Sequence, residues 1–449
     1  MSQLLPFIGL VAIAIFALVL WRPVIALILF ALLAPAGMTQ LPAGLDLVTV
    51  LSLLVIAAAL WERLVTGLSL VPSTRATFAA TIWSLGIVGS VAFSADPARA
   101  GVLGTWQIIA AWLAVATAHL AATPQRMRPT LVAVLFGALI VAASGLVGGF
   151  SPIGAFDASV VSNRAKGVFS QPNEYGLFCA MVWAFSLGIV CLCQGYVKHL
   201  ASVTTVLSLA GLALSFSRGA WAGAVVTAIV MAVLIPQTRR PQAVALIATV
   251  SILSASLVAA PYWQLPSLLW SRFASIFTGG SNPYDNRPAL LEEGWRQWEQ
   301  RPVLGVGPNM YPVEAQAVSA RTRTLEGQHA HNLVVTLGAE QGLVGVLALT
   351  LFAVAIVVAV RAARGFAAPL GRSVPVAQVP VGAAVTLSAM GAMLVVATAG
   401  LVDYPLRNPL TRGYTWLLLG LLLAGERCLP SRAPKNRAAH LKPEEAIAP

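Results

Sequence analysis

Four short stretches of this 449-residue chain carry side chains able to hold an anion or move a proton. The first is Gly327-Gln328-His329-Ala330-His331-Asn332, which places two imidazoles directly ahead of a long apolar run. Histidine exchanges protons near neutral pH, so either ring can serve as a general base. The second, Leu214-Ser215-Phe216-Ser217-Arg218-Gly219-Ala220-Trp221, sets a guanidinium and two hydroxyls in a tight turn between apolar segments. An arginine at membrane depth is costly and seeks a partner, and its planar fork matches phosphate oxygens. The third runs from Asp285-Asn286-Arg287-Pro288 into a stretch with Leu291, Trp295 and Trp298 near one helical face. That pattern predicts a helix along the membrane surface with aromatic anchors and Arg287 at its start. The fourth, Asn163 to Gly176, brings Arg164, Lys166 and Asn173 to the beginning of another apolar segment. The last three stretches each have a structural alternative: a snorkelling arginine, an interfacial lid, and a capped helix entrance around Asn173 and Glu174.

The elements that must position these residues are membrane helices. The chain is 58% hydrophobic and 10% charged, whereas soluble chains are about a quarter charged. Apolar spans fall near 4–20, 23–37, 46–61, 77–94, 102–121, 129–149, 174–193, 200–216, 219–235, 242–260, 333–360, 376–402 and 413–425. They predict an all-α, polytopic transmembrane bundle of about 12 to 13 spans, each long enough to match the hydrocarbon thickness. The run 333–360 exceeds one crossing, so its beginning lies at the interface or tilts. The first segment lacks a basic leader and a cleavage site and reads as retained. The net charge of +12 is spread over loops without a nucleic-acid motif. The four cysteines form neither a disulfide framework nor a zinc pattern.

Charge orients the bundle. Alternate loops hold Arg63, Arg75, Arg126, Arg128, Lys198, Arg239, Arg240, Arg361, Arg364 and Arg372, joined by Arg427, Arg432, Lys435, Arg437 and Lys442 in the tail. The opposite short loops hold only Arg99, Arg407 and Arg412. By the positive-inside rule the first set, with the C-terminus, is cytoplasmic. The connections 150–173 and 261–332 and the 215–219 turn then all face outward, with every stretch named above. The N-terminus is inside for an even number of spans and outside for an odd one. The organisation expected is N-terminal membrane helices over 1–149 and a core over 150–360 that includes the outer loop 261–332. C-terminal helices over 361–429 and a basic, disordered cytoplasmic tail over 430–449 complete it.

His331-Asn332, nine residues, Gly342, two residues and Gly345 match the signature of the O-antigen ligase and polymerase family of bacterial envelope glycosyltransferases. SFSRGAW, the Arg287 to Trp295 segment followed by PVLGVGPN, and FSQPNEYG are similar to that family's other recurring blocks, in the same order. The resemblance implies an undecaprenyl-diphosphate-linked glycan donor and a lipid A core or growing polysaccharide acceptor. Transfer would take place on the outer face of the bacterial cytoplasmic membrane, among membrane lipids, without nucleic acid, cofactor or metal. It points to His331 as base, a choice resting partly on the resemblance because Asp285, Glu314 and Glu326 also qualify. Arg218 and Arg287 are the expected catalytic cations, with Arg164, Lys166, Asn173, Ser217, Asn332 and His329 as substrate-binding residues. No outward carboxylate stands out as a covalent nucleophile, so direct inverting displacement is expected. His329 and His331 lack the further ligands that a metal site needs. Gly305-Val306-Gly307-Pro308-Asn309 resembles a phosphate loop only superficially, since no strand precedes it. A repeat-unit polymerase has the same loop chemistry. A non-catalytic flippase would need charged or broken mid-membrane helices and paired repeats, and neither is evident.

Overall fold

The structure, a computed structural model, describes residues 5–37, 46–148, 164–240, 287–315, 329–367 and 379–430, together with the single positions 243 and 274. The span expected at 242–260, most of the outer loop 261–332 and the tail beyond 430 lie outside the described residues. Helices occupy every other expected span: α1 (Leu5–Trp21), α2 (Ile25–Leu33), α3 (Leu47–Val65), α4 (Arg75–Ala92), α5 (Pro97–Leu120), α6 (Pro124–Gly148), α7 (Pro172–Leu192), α8 (Tyr196–Leu214), α9 (Arg218–Leu234), α11 (Leu333–Ala367), α12 (Val381–Ala399) and α13 (Pro409–Arg427). The amphipathic segment after residue 286 forms α10 (Arg287–Gln300). Eight of the described helices are long and apolar enough to cross a membrane, and α9 and the Ile25–Ala36 segment are shorter apolar ones.

Helix α7 is the hub. Nearly every residue of it is buried, and it packs against α8, α9 and α12. Lipid is as apolar as leucine, so helices in it associate through close packing of small residues. Gly188 of α7 faces Ser388 of α12, and Gly420 of α13 faces Thr117 of α5, each so close that an added Cβ would lie about 2.5 Å from the neighbouring side chain.

The long run 333–360 is resolved into a kinked helix. Gly342, at φ 63°, breaks α11 after its first nine residues, which accounts for a length beyond one crossing. The segment 302–307 lies against the break. Val306 and Gly307 N–H donate to the carbonyls of Ala339 and Glu340 at 2.8 and 2.9 Å. Leu343 and Val344 N–H donate to those of Pro302 and Val303 at 2.8 and 3.3 Å. A Cβ on Gly342 would sit 2.3 Å from the Val303 carbonyl, and one on Gly305 2.4 Å from Glu340 backbone. The glycines of PVLGVGPN therefore serve backbone contact with α11.

The two sets of loops separate to opposite ends. At one end Arg126 grips Glu62 at 2.6 and 3.0 Å, His119 Nε2 is 3.4 Å from Glu62, and Arg75 pairs with Glu426 at 3.2 Å. At the other, Ala165 N–H donates to Leu214 O, Leu333 N–H to Gly400 O, and Asn408 Nδ2 to Glu174. Arg412 corrects the loop assignment. It lies inside the first turn of α13, 3% exposed, 3.6 Å from Asp46 and over the Trp106 ring. Burial beside a carboxylate and an aromatic face suits arginine, which is less strongly hydrated than lysine.

Two outcomes are expected. Gly342→Ala adds a steric clash to left-handed strain and lowers stability by about 3 kcal/mol or more, against about 1 kcal/mol for Gly67→Ala, which has the same backbone sign but open space. Unfolding midpoints in detergent compare the two. Single cysteines at Arg75 and Arg407 label from opposite sides of intact spheroplasts, with position 407 the outer one; labelling from the same side overturns the orientation.

Candidate active site

The loop between α8 and α9 fixes Arg218. Phe216 adopts a left-handed φ of 50°, Ser215 Oγ accepts the Ser217 N–H at 3.2 Å, and Arg218 begins α9. Gly176 of α7 allows the turn this close, since a Cβ there would lie 2.4 Å from Ser215 Oγ. Arg164 braces the same turn from the other side: its Nε donates to Ser215 O at 2.7 Å and its Nη2 to Asn173 Oδ1 at 2.5 Å. Pro172 occupies the first turn of α7, where its missing N–H costs nothing, and Asn173 follows it.

Arg218 and Ser217 of this turn meet Asn173, Arg287 and Asp403 around a cavity of about 50 Å³. Three expected site residues from α7 and α9 thus join Arg287 from α10, although the sequence places them in separate loops. Arg287 is carried by a helix whose buried face is Leu290, Glu293, Gly294 and Gln297. Trp298 packs over Gly338 of α11, and Trp295, 47% exposed, stacks on Trp298 at 5.1 Å.

His331 reaches the same centre through Asp403. Its Nδ1 is 3.4 Å from Asp403 Oδ1, and His329 Nε2 is 3.8 Å from that oxygen. His331 has φ 49°, which for a residue with a side chain costs on the order of 1–3 kcal/mol and marks a position held by its surroundings. Asn332 supplies much of the hold. Its Oδ1 accepts the N–H groups of Val334 and Val335 at 3.0 Å, capping α11, and its Nδ2 donates to Leu401 O at 3.1 Å. With Leu333 N–H on Gly400 O at 2.6 Å, the His-Asn segment is stapled to the end of α12, beside Asp403. Asn332 is thereby a structural cap rather than a cavity-lining group, and Lys166 and Arg164 likewise do not line the cavity.

His329 is a buried, neutral neighbour. Its Nδ1 accepts the His331 N–H at 3.0 Å, which leaves the proton on Nε2, facing Asp403. Burial first, then the adjoining His331, pushes it down to about 3. Burial would raise Asp403, but its contacts with His331, His329 and the Tyr404 N–H outweigh this and hold the carboxyl below its usual range. Among the described residues, His329, His331 and Asp403 are the grouping whose donor atoms, all within 4.8 Å of one another, could surround a metal ion.

Asp403 is the residue that sequence reasoning missed. It sits just beyond an apolar span with no motif around it; the available signal was a carboxylate in an outward loop that also holds Arg407. Of the other carboxylates considered as bases, Glu314 offers its backbone carbonyl to Arg296 and does not line the cavity. Asp285 and Glu326 lie outside the described residues.

Comparison with curated proteins gave no match. Comparison with family models matched residues 203–350 to the family described as O-antigen ligase. That segment, about a third of the chain, contains the Arg218 turn, Arg287, the His331-Asn332 pair and the break at Gly342, and over it the chain is similar to the O-antigen ligase family.

Proposed function

We propose that this protein transfers a preassembled glycan from an undecaprenyl-diphosphate carrier to lipid A core or another surface acceptor, on the outer face of the cytoplasmic membrane. The observation that carries the reading is that Arg218, Arg287 and Asp403 line one small cavity, with His331, which does not itself line it, 3.4 Å behind Asp403. A diphosphate leaving group develops concentrated negative charge as the glycosidic bond breaks, and fixed cations stabilise it without a proton donor. Arg218 and Arg287 fill that role. Asp403 favours the proton on His331 Nδ1, so Nε2 carries the lone pair that takes the acceptor hydroxyl's proton. The acceptor oxygen then forms its bond to the anomeric carbon as the carrier diphosphate leaves with the bonding pair, inverting that centre. Asp403 is engaged by both imidazoles, which suits an orienting carboxylate rather than a nucleophile.

Metal-independent transfer is part of this reading: two guanidiniums line the cavity with Asp403, and their repulsion disfavours a divalent cation there, although His329, His331 and Asp403 offer donor atoms for one. Repeat-unit polymerisation by the same site is the second reading, distinguished by what accumulates when the gene is deleted. Carrier-linked long glycan marks a ligase, and single carrier-linked repeat units mark a polymerase.

Complementation of the deletion, with turnover measured in proteoliposomes, tests the site. His331→Ala is expected to lose about 10²–10⁴-fold in rate, and Arg218→Ala and Arg287→Ala about 10²–10³-fold each. Asp403→Asn loses on the order of 100-fold or more by misorienting His331. Chelator leaves the wild-type rate unchanged. Normal glycan from all three alanine variants would sink the assignment.

The pH dependence of stability has a defined sign. His329 is lowered from 6.5 to about 3 in the folded state, so between those values the unfolded chain binds more protons and stability falls as pH falls. Asp403 is lowered as well, so its contribution is present above the ordinary carboxylate range and does not change between pH 5 and 7. Wild-type stability therefore declines from pH 7 to 5, with at most about 1.4 kcal/mol per pH unit from His329. His329→Gln flattens this slope; equal slopes in the two proteins overturn the assignment.

A further inference from the structure

Three buried polar side chains that the mechanism above does not use are bonded to one another beside the site: Gln107 of α5, Gln341 of α11 and Tyr404 of the α12–α13 loop. Gln341 Nε2 donates to Gln107 Oε1 at 2.6 Å, and Gln107 Nε2 donates to the Tyr404 hydroxyl at 3.2 Å. Amides inside an apolar bundle are costly, and Gln341 Oε1 has no partner among the described residues, so the chain is kept against a desolvation penalty. The His-Asn signature makes room for it. Gln341 directly precedes the break at Gly342, and an added Cβ on Gly345 would lie 2.6 Å from Gln341 Cβ and 3.0 Å from its Oε1. The first glycine of the signature breaks the helix, and the second clears space for the amide beside the break.

The other end of the chain is the site. Tyr404 follows Asp403, and its backbone N–H donates to Asp403 Oδ1 at 2.8 Å. That oxygen is the one 3.4 Å from His331 Nδ1 and 3.8 Å from His329 Nε2. The Tyr404 ring also stands edge-on to His329 at 5.7 Å, and the His329 ring lies 4.2 Å from that of His331. Tyr404 thus meets the acid–base pair twice, by its N–H on the carboxylate and by its ring on the neighbouring imidazole. Its hydroxyl is tied to two helices on the far side. A phenylalanine would keep the ring and the N–H and lose the tie.

We propose that Tyr404 is a positioning residue: anchored by Gln107, and through it by Gln341, it holds the Asp403 carboxylate at the angle that faces His331. This rests on the reading that Asp403 orients His331 as the base. The hydroxyl acts through Asp403 and touches no substrate, so its effect on turnover exists only while Asp403 is a carboxylate.

The test uses the full-length protein in lipid nanodiscs, with Tyr404→Phe and Gln107→Leu each made alone and together with Asp403→Asn. Amide hydrogen exchange over 400–408 and turnover of a polyprenyl-diphosphate glycan are measured. In either single variant the segment exchanges about fivefold faster, the scale of one lost hydrogen bond. kcat falls about tenfold, short of the Asp403→Asn loss, while KM for the donor, which Arg218 and Arg287 hold, stays near wild type. Added to Asp403→Asn, neither substitution lowers kcat further; a merely structural role would lower it by the same factor in both backgrounds. Unchanged exchange in Tyr404→Phe, wild-type turnover from it, or equal losses in the two backgrounds overturns the proposal. Tyr404→Phe removes a single oxygen and carries every arm alone if Gln107→Leu does not fold. An inert wild type on that donor, or an unimpaired Asp403→Asn, refutes the functional reading instead, and the exchange arm then decides whether the chain holds the loop.

Discussion

A helix broken inside an apolar bundle must find partners for the backbone groups the break releases, because lipid supplies none. At Gly342 those partners come from segment 302–307, which receives and returns hydrogen bonds on both sides of the break. The rest of the candidate site hangs from this exchange. It brings the end of α10 against α11, and it leaves the pre-break part of α11 as a short piece capped by Asn332, which directly follows His331. The glycines at 305 and 342 are there because two backbones meet at distances that a Cβ would prevent. A pattern that looks like a phosphate loop in one dimension is a backbone clamp in three.

On that mounting, charge is divided by function. The guanidiniums of Arg218 and Arg287 approach the cavity from α9 and α10, while the imidazole of His331 is set against Asp403 from the α12–α13 loop. The cations and the base of the proposed reading thus arrive on different elements, which lets each be braced separately. Arg164 and Asn173 brace the first, and Asn332, Gly400 and Leu401 brace the second. The left-handed backbone at Phe216 and His331 sits at these two bracing points. Strain of this kind persists only where surrounding contacts over-determine the conformation.

At the other end of the bundle, Glu62 draws in Arg126 and His119 and ties α3, α5 and α6 together. Its two acceptor oxygens bind a guanidinium bidentately, the strongest geometry open to such a pair. This end holds arginines consistent with the positive-inside pattern. The helices between the two ends are joined by small-residue contacts and by interhelical hydrogen bonds such as Thr205 to Ser186 and Thr386 to the Leu422 carbonyl.

Hydropathy by itself determined the helices, because a span must be apolar for the length of a bilayer whatever it packs against; α3 to α9 begin and end within a few residues of the runs that name them. It also determined that Arg218, Arg287 and His331 share one end, since loop parity follows from counting spans. Local sequence was sufficient for α10, whose amphipathic pattern is self-contained. Tertiary structure alone decided that Asp403 faces His331, that Arg412 is buried against Asp46, and that Asn332 is a cap. Each of these joins residues far apart in the chain whose contact leaves no periodicity behind. Periodicity reports which face of one element is buried, and it carries no record of which element lies across from it.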